Sequence, residues 1–240
     1  MAEGVRVPAL VAHRGFAARA LENTLAAFRD AVELGVDMIE MDTHETADGE
    51  FIVFHDASLD PRTPPWSRLT AGDVHELTGG DGRAPRLETC TAALPRTPVD
   101  LEVKTCHEPA RLVRHLARWP LAPGSVVSSF NATILRRLHE ARCPYPLFLN
   151  VTVGGDLTVR ESVRNACVAM VPRLAPRLAA GVAVDDALVT RQLVRRFHHR
   201  GLRVFVWTVD DPARMERLAE WTIDGLVTNR PDLFPEHLRR

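Results

Sequence analysis

A chain of 240 residues with 45% hydrophobic and 25% charged side chains has the profile of a globular protein and the length of one α/β barrel. Its 30 basic residues nearly balance 31 acidic ones, so no long-range positive field recruits nucleic acid or an anionic membrane surface. Cys90, Cys106, Cys143 and Cys167 are widely spaced with no CxxC, which argues against a zinc or redox motif and for reduced, structural thiols.

From the first residues onward, the apolar run Ala9 to Ala12 is too short for a secretory leader, and no window approaches a transmembrane span. The expectation is a cytoplasmic protein without stable membrane association. Short apolar runs then recur at 10–13, 37–42, 99–103, 125–129, 146–150, 167–171, 202–207 and 224–228, and read as eight strands. Amphipathic stretches at 25–34, 109–119, 132–141, 191–199 and 212–221 fall between them. This alternation predicts an α/β fold, a (β/α)8 TIM barrel, as a single domain over 1–240.

Local signals agree with these boundaries. Gly35 and Gly201 stand where left-handed caps end helices, Asn131 stands at a helix start, and Asp211-Pro212 supplies an N-cap and an N1 proline. An additional apolar segment, 51–55, follows the turn signal Asp48-Gly49 and is expected to fold back beside the second strand. Residues 57–98 are rich in proline and glycine and read as an irregular insertion near the barrel mouth, with one short helix around 71–77. The stretch 172–189 is poorly periodic, and its helix is placed only loosely.

In such a barrel the chemistry sits at the C-terminal ends of the strands. The first strand there ends in His13-Arg14-Gly15, the second carries Glu40 and Asp42, and the third carries Glu102 and Lys104. The folded-back segment ends in His55-Asp56. Glu40 and Asp42 are two apart on a strand and share a face, opposite Ile39 and Met41; Glu102 and Lys104 repeat that spacing. Three carboxylates converging on one mouth are unfavourable unless a cation sits among them or their pKa values rise; for a cation, an all-oxygen set suits a hard divalent ion, Mg²⁺ or Ca²⁺. His13 and His55 form the natural acid–base pair, with Arg14 and Lys104 as nearby cations; this combination suits a phosphate ester. The remaining histidines, His44 and His115 among them, read as structural or exposed.

The opening block resembles the glycerophosphodiester phosphodiesterase family: His13-Arg14-Gly15, Glu22-Asn23-Thr24, the pair Glu40 and Asp42, Thr46 to Gly49, and His55-Asp56. LEVKT at 101–105, SFN at 129–131, VFVWTVD at 204–210 and DGLVTNRPD at 224–232 extend the resemblance to about residue 234. It implies a metal on Glu40, Asp42 and Glu102, catalytic His13 and His55, and substrate contacts from Arg14 and Lys104. It also implies pocket walls at Trp207 and Phe130, with Glu22 and Asp56 in support. The implied reaction is metal-dependent hydrolysis of a small glycerophosphodiester to an alcohol and sn-glycerol 3-phosphate. A sphingomyelinase D-like or cyclising phosphodiesterase and a catalytically silent glycerophosphodiester-binding barrel are the rival readings. Three positions depart from the family pattern: Leu21 stands where proline is common, Asn229 where aspartate is common, and Asp210 where asparagine is commoner.

Overall fold

The computed structural model describes residues 7–80, 82–152 and 178–239. Eight parallel strands close on themselves: β1 (Ala9–Ala12), β2 (Met38–Glu45), β4 (Val99–Thr105), β5 (Val126–Ser129), β6 (Leu147–Val151), β7 (Gly181–Asp185), β8 (Arg203–Trp207) and β9 (Gly225–Thr228). β1 closes the ring by pairing with both β2 and β9. The short strand β3 (Phe51–Val53) runs antiparallel to β2, pairing Thr43 with Val53 and Glu45 with Phe51. This is the expected (β/α)8 barrel with one extra, folded-back strand after β2.

Helices α1 (Leu25–Leu34), α4 (Pro109–Arg118), α5 (Ala132–Glu140), α6 (Arg191–His198) and α7 (Pro212–Glu220) lie where periodicity put them. Their ends follow the local chemistry. Gly35 adopts φ 83° after α1, and Asn131 Oδ1 accepts from Thr133 N and Ile134 N at the start of α5. Asp211 accepts from Ala213 N ahead of Pro212. Buried Glu45, at the end of β2, accepts from the backbone N–H groups of His107 and Glu108 and pairs with Arg111 at 3.1 Å, which locks that strand to the start of α4.

The sixth strand differs from expectation. The apolar run 167–171 lies outside the described residues, and β6 pairs directly with β7, drawn from the stretch where only a loose helix was expected. The reason lies inside the barrel. Val11, Met38, Val126, Phe148, Ala183, Phe205 and Val227 pack there, with the Phe148 and Phe205 rings 4.9 Å apart. A Cβ on Gly181 would sit 2.4 Å from the Phe148 ring, and one on Gly225 would sit 2.6 Å from that of Phe205. Small residues on β7 and β9 thus make room for two large neighbours. Gly181 and Ala183 therefore give β7 a weak apolar signal.

The insertion is more regular than expected. It holds α2 (Ala71–Thr78) and a second helix, α3 (Leu87–Ala93). Among the described residues none of 57–98 lines the barrel cavity. Its contribution is indirect: fully buried Trp66 donates from Nε1 to Asp56 O at 2.8 Å, and its N–H reaches Ala57 O at 2.9 Å. These bonds fix the turn that follows His55.

Candidate active site

Alternation decides which side chains enter the barrel. Along β2, Ile39 and Met41 pack outward against the helices while Met38, Glu40 and Asp42 point inward. Parallel register sets Glu40 beside Asp100 and Asp42 beside Glu102. One ligand atom from each of Glu40, Asp42 and Glu102 lies within 4.8 Å of the others, and all three residues are buried.

Two cations hold this cluster. Lys104 Nζ reaches Asp42 Oδ1 at 3.0 Å and Glu102 Oε1 at 2.6 Å. Arg14 Nε lies 3.3 Å from Asp42 Oδ2, while its Nη1 donates to Glu22 Oε1 at 2.9 Å. Three carboxylates outnumber two cations by one charge. Burial, followed by repulsion from Asp42, Glu102 and Asp100, pushes the Glu40 carboxyl well above its ordinary range. Burial and Asp42 also raise Glu102, although Lys104 opposes them. Burial acts upward on Asp42 as well, but Lys104 and Arg14 outweigh it and hold that carboxyl low. Burial opposes the charge on Lys104, and Asp42 and Glu102 more than restore it. Below the cluster, burial pushes Asp100 up to about 7.

The donor set fits a hard divalent ion. It is all oxygen, and Glu40 Oε1 is buried without a hydrogen-bond partner among the described residues. Glu40 Oε2 is already fixed by Arg14 N–H at 2.9 Å. That contact depends on Arg14 and Gly15 taking left-handed backbone, φ 55° and 82°. Gly15 is required for a second reason: its Cβ would lie 2.7 Å from the Ala27 backbone of α1.

The histidines are held differently. His13 Nδ1 lies 2.7 Å from Asn229 Oδ1, and its Nε2 is 3.9 Å from Glu40 Oε2. The Asn229 amide donates its Nδ2–H to Asp210 Oδ2 at 2.9 Å, so its oxygen must face the ring. His13 therefore carries its proton on Nδ1 and presents a bare Nε2. Burial and the neighbouring Arg14 lower its pKa, favouring this neutral form. His55 Nδ1 lies 2.8 Å from the Asp56 carboxylate, which can only accept. His44, assigned by sequence to structure, is buried between the two elements that carry the site. Its Nε2–H donates to His55 O at 3.2 Å, and its Nδ1 accepts from Thr105 Oγ1 at 3.1 Å.

His13, Arg14, Glu40, His55, Glu102, Lys104, Phe130 and Trp207 line one cavity of about 260 Å³. Phe130 and Trp207 meet edge to face at 5.5 Å, and Lys104 Nζ stands 5.7 Å from the Phe130 ring. Asp42 lies behind this surface, Glu22 acts through Arg14, and Asp56 is largely exposed on the far side of His55. Among the expected site residues, therefore, eight reach the cavity and three stand behind them.

The chain matches the model of the "Glycerophosphoryl diester phosphodiesterase family" over residues 13–233. It belongs to that family. A probable glycerophosphodiester phosphodiesterase 2 of Mycobacterium tuberculosis is 30% identical over 245 residues, covering 95% of this chain and 89% of the relative. Lysophospholipase D GDPD1 of Rattus norvegicus is 26% identical, with 95% and 85% covered. Among solved structures, a glycerophosphodiester phosphodiesterase of Thermotoga maritima aligns with a TM-score of 0.72 at 26% identity, covering 94% of this chain and 96% of that one. A putative glycerophosphoryl diester phosphodiesterase of Silicibacter pomeroyi shares the fold, with a TM-score of 0.79 at 23% identity and 98% and 96% covered. The family is one of phosphodiester-hydrolysing enzymes, and this chain is such an enzyme. No helix among the described residues is long and apolar enough to cross a membrane.

Three polar residues bearing on this family's site were not singled out by sequence as part of it. Asn23, within the ENT motif, grips Asp42 from both sides, donating Nδ2–H to Oδ2 at 2.8 Å and accepting from Asp42 N at 3.2 Å. Asn229 and Asp210 were visible only as departures from the family pattern. Together they form a chain that orients His13, and Asp210 also accepts from Thr228 Oγ1 and Asn229 N, each at 2.8 Å.

Proposed function

We propose that this chain hydrolyses glycerophosphodiesters to an alcohol and sn-glycerol 3-phosphate, with a divalent metal, Mg²⁺ or Ca²⁺, on Glu40, Asp42 and Glu102. The observation that carries this reading is the meeting of those carboxylates with His13, His55, Arg14 and Lys104 around one small cavity. A bound divalent ion would polarise the phosphoryl group and offset its charge in the transition state. It would also reverse the sign of the local charge balance, turning an excess of one negative charge into an excess of one positive charge.

Arg14 and Lys104 hold non-bridging oxygens of the phosphodiester. His13, neutral with bare Nε2, takes the proton from the glycerol hydroxyl next to the phosphoryl group as that oxygen attacks phosphorus. His55, oriented by Asp56, delivers a proton to the departing alcohol oxygen. Water then opens the cyclic phosphate with the two roles exchanged. Trp207 and Phe130 wall the glycerol side. Trp207 Nε1–H is shielded and has no partner among the described residues, so it is available to a substrate oxygen. The cavity volume suits a small molecule in solution, and the chain is proposed to act in the cytoplasm.

Metal-stripped protein assayed for glycerol 3-phosphate release from glycerophosphocholine and glycerophosphoethanolamine tests this, with Mg²⁺, Ca²⁺ or Mn²⁺ added back. Metal-dependent turnover that disappears in His13→Ala supports the assignment. Folded, metal-loaded protein that releases no glycerol 3-phosphate from either substrate refutes it. A cyclic phosphate accumulating in place of glycerol 3-phosphate would favour the cyclising alternative.

A further inference from the structure

Outside the barrel mouth, a second group of metal-ligating side chains comes together from three separate elements. Glu50 precedes β3, Glu88 lies in the first turn of α3, and His115 lies on α4. One ligand atom from each lies within 4.8 Å of the other two. His115 Nε2 and Glu88 Oε2 face each other at 3.8 Å, too far for a hydrogen bond. Both atoms are shielded from solvent, and neither has a hydrogen-bond partner among the described residues. The His115 side chain is only 11% exposed, and its ring stands edge-on to Phe51 at 5.3 Å, which fixes where Nε2 points.

We propose that Glu50, Glu88 and His115 form a transition-metal site, best suited to Zn²⁺, distinct from the carboxylate cluster in the barrel. Two ligand atoms on a tetrahedral zinc are about 3.4 Å apart, so the 3.8 Å separation needs only a small contraction. A ring nitrogen with two carboxylate oxygens suits zinc, whereas the all-oxygen barrel cluster suits a harder ion. The second carboxylate oxygen of Glu88 faces Arg86 at 3.7 Å, leaving Oε2 for the metal. A groove of about 420 Å³ opens beside the site, lined by Glu50, His115 and Trp119 and also by Arg111, Arg114 and Arg118. The site would pin the β2–β3 hairpin and the start of α3 to α4, and so brace the strand that leads into His55.

Zn²⁺ titration of metal-stripped protein against a chromophoric chelator, with Co²⁺ absorption as a probe of nitrogen ligation, tests this directly. Wild type should take up two equivalents of Zn²⁺. His115→Ala and the near-isosteric Glu88→Gln should each take up one and lose the visible Co²⁺ band. Asp42→Asn should keep that band, and Ca²⁺ uptake should be the same in Glu88→Gln as in wild type. Zn²⁺ uptake in folded Glu88→Gln equal to that of wild type overturns the proposal. So does a Co²⁺ band that survives His115→Ala. The readout is binding, so its result stands apart from whether glycerophosphodiesters are the substrate.

Discussion

Replacing Asn229 with alanine removes one side chain from the His13–Asn229–Asp210 chain while leaving every charged group of the site in place. His13 Nδ1–H loses its 2.7 Å acceptor, and the reason for its Nδ1-protonated form goes with it. The ring is largely buried, so an unpartnered N–H there costs about 1–3 kcal/mol. If that orientation is needed when Nε2 takes a proton, the cost appears in the barrier as a roughly 5- to 150-fold fall in kcat/KM. KM should change little, because Asn229 is not among the residues lining the cavity. The assay is glycerol 3-phosphate release across substrate concentrations, in wild type and Asn229→Ala. Asn229→Asp gives a signed control. A carboxylate at Nδ1 favours imidazolium and raises the His13 pKa, so the acid limb of kcat/KM moves to higher pH. Asn229→Ala within twofold of wild type would show that His13 needs no such support and refute the tautomer argument.

If Asp42 is a metal ligand as proposed, Asp42→Asn should raise the Mg²⁺ or Ca²⁺ concentration for half-activation by more than the roughly 10–100-fold typical of outer-shell partners; an unchanged metal titration would remove Asp42 from the ligand set. Burial lowers the His44 pKa from 6.5 to about 4, so the unfolded chain binds more protons between those values, and stability falls as pH drops through that window. The loss is on the order of 3 kcal/mol; urea midpoints at pH 7 and 4.5 should show it, and His44→Gln should flatten the slope. Gly15→Ala places a Cβ 2.7 Å from the Ala27 backbone at φ 82°. Left-handed strain and overpacking together cost about 2–4 kcal/mol. Thermal unfolding should shift down by on the order of 10 °C, and a shift below 2 °C would count against the close approach of α1.

The residues at the barrel mouth were legible because two regularities coincide there. Strand alternation puts Glu40 with Asp42, and Glu102 with Lys104, on one face, and the motif order places those faces at the same end of the barrel. β7 was less legible because the barrel interior, already filled by Phe148 and Phe205, demands Gly181 and Ala183 at positions where a strand is usually recognised by bulk. α3 was hidden for a related reason: its seven residues are too few to show helical periodicity, and it lacks a side-chain cap. Asn23 and Asn229 act through hydrogen bonds to partners 19 and 216 positions away, and no local pattern encodes such a pairing.

That longest pairing has a consequence for how the enzyme comes into being. His13 sits just past the first stave of the barrel and Asn229 just past the last, and the seam between β1 and β9 continues to His13 N–H on Thr228 O at 2.9 Å. A growing chain therefore carries His13, the proposed base, almost from the outset, yet cannot orient its ring through Asn229 until the final strand has docked. On the proposed roles, turnover would wait on ring closure, and a partly made chain with an open seam would be idle toward phosphodiesters.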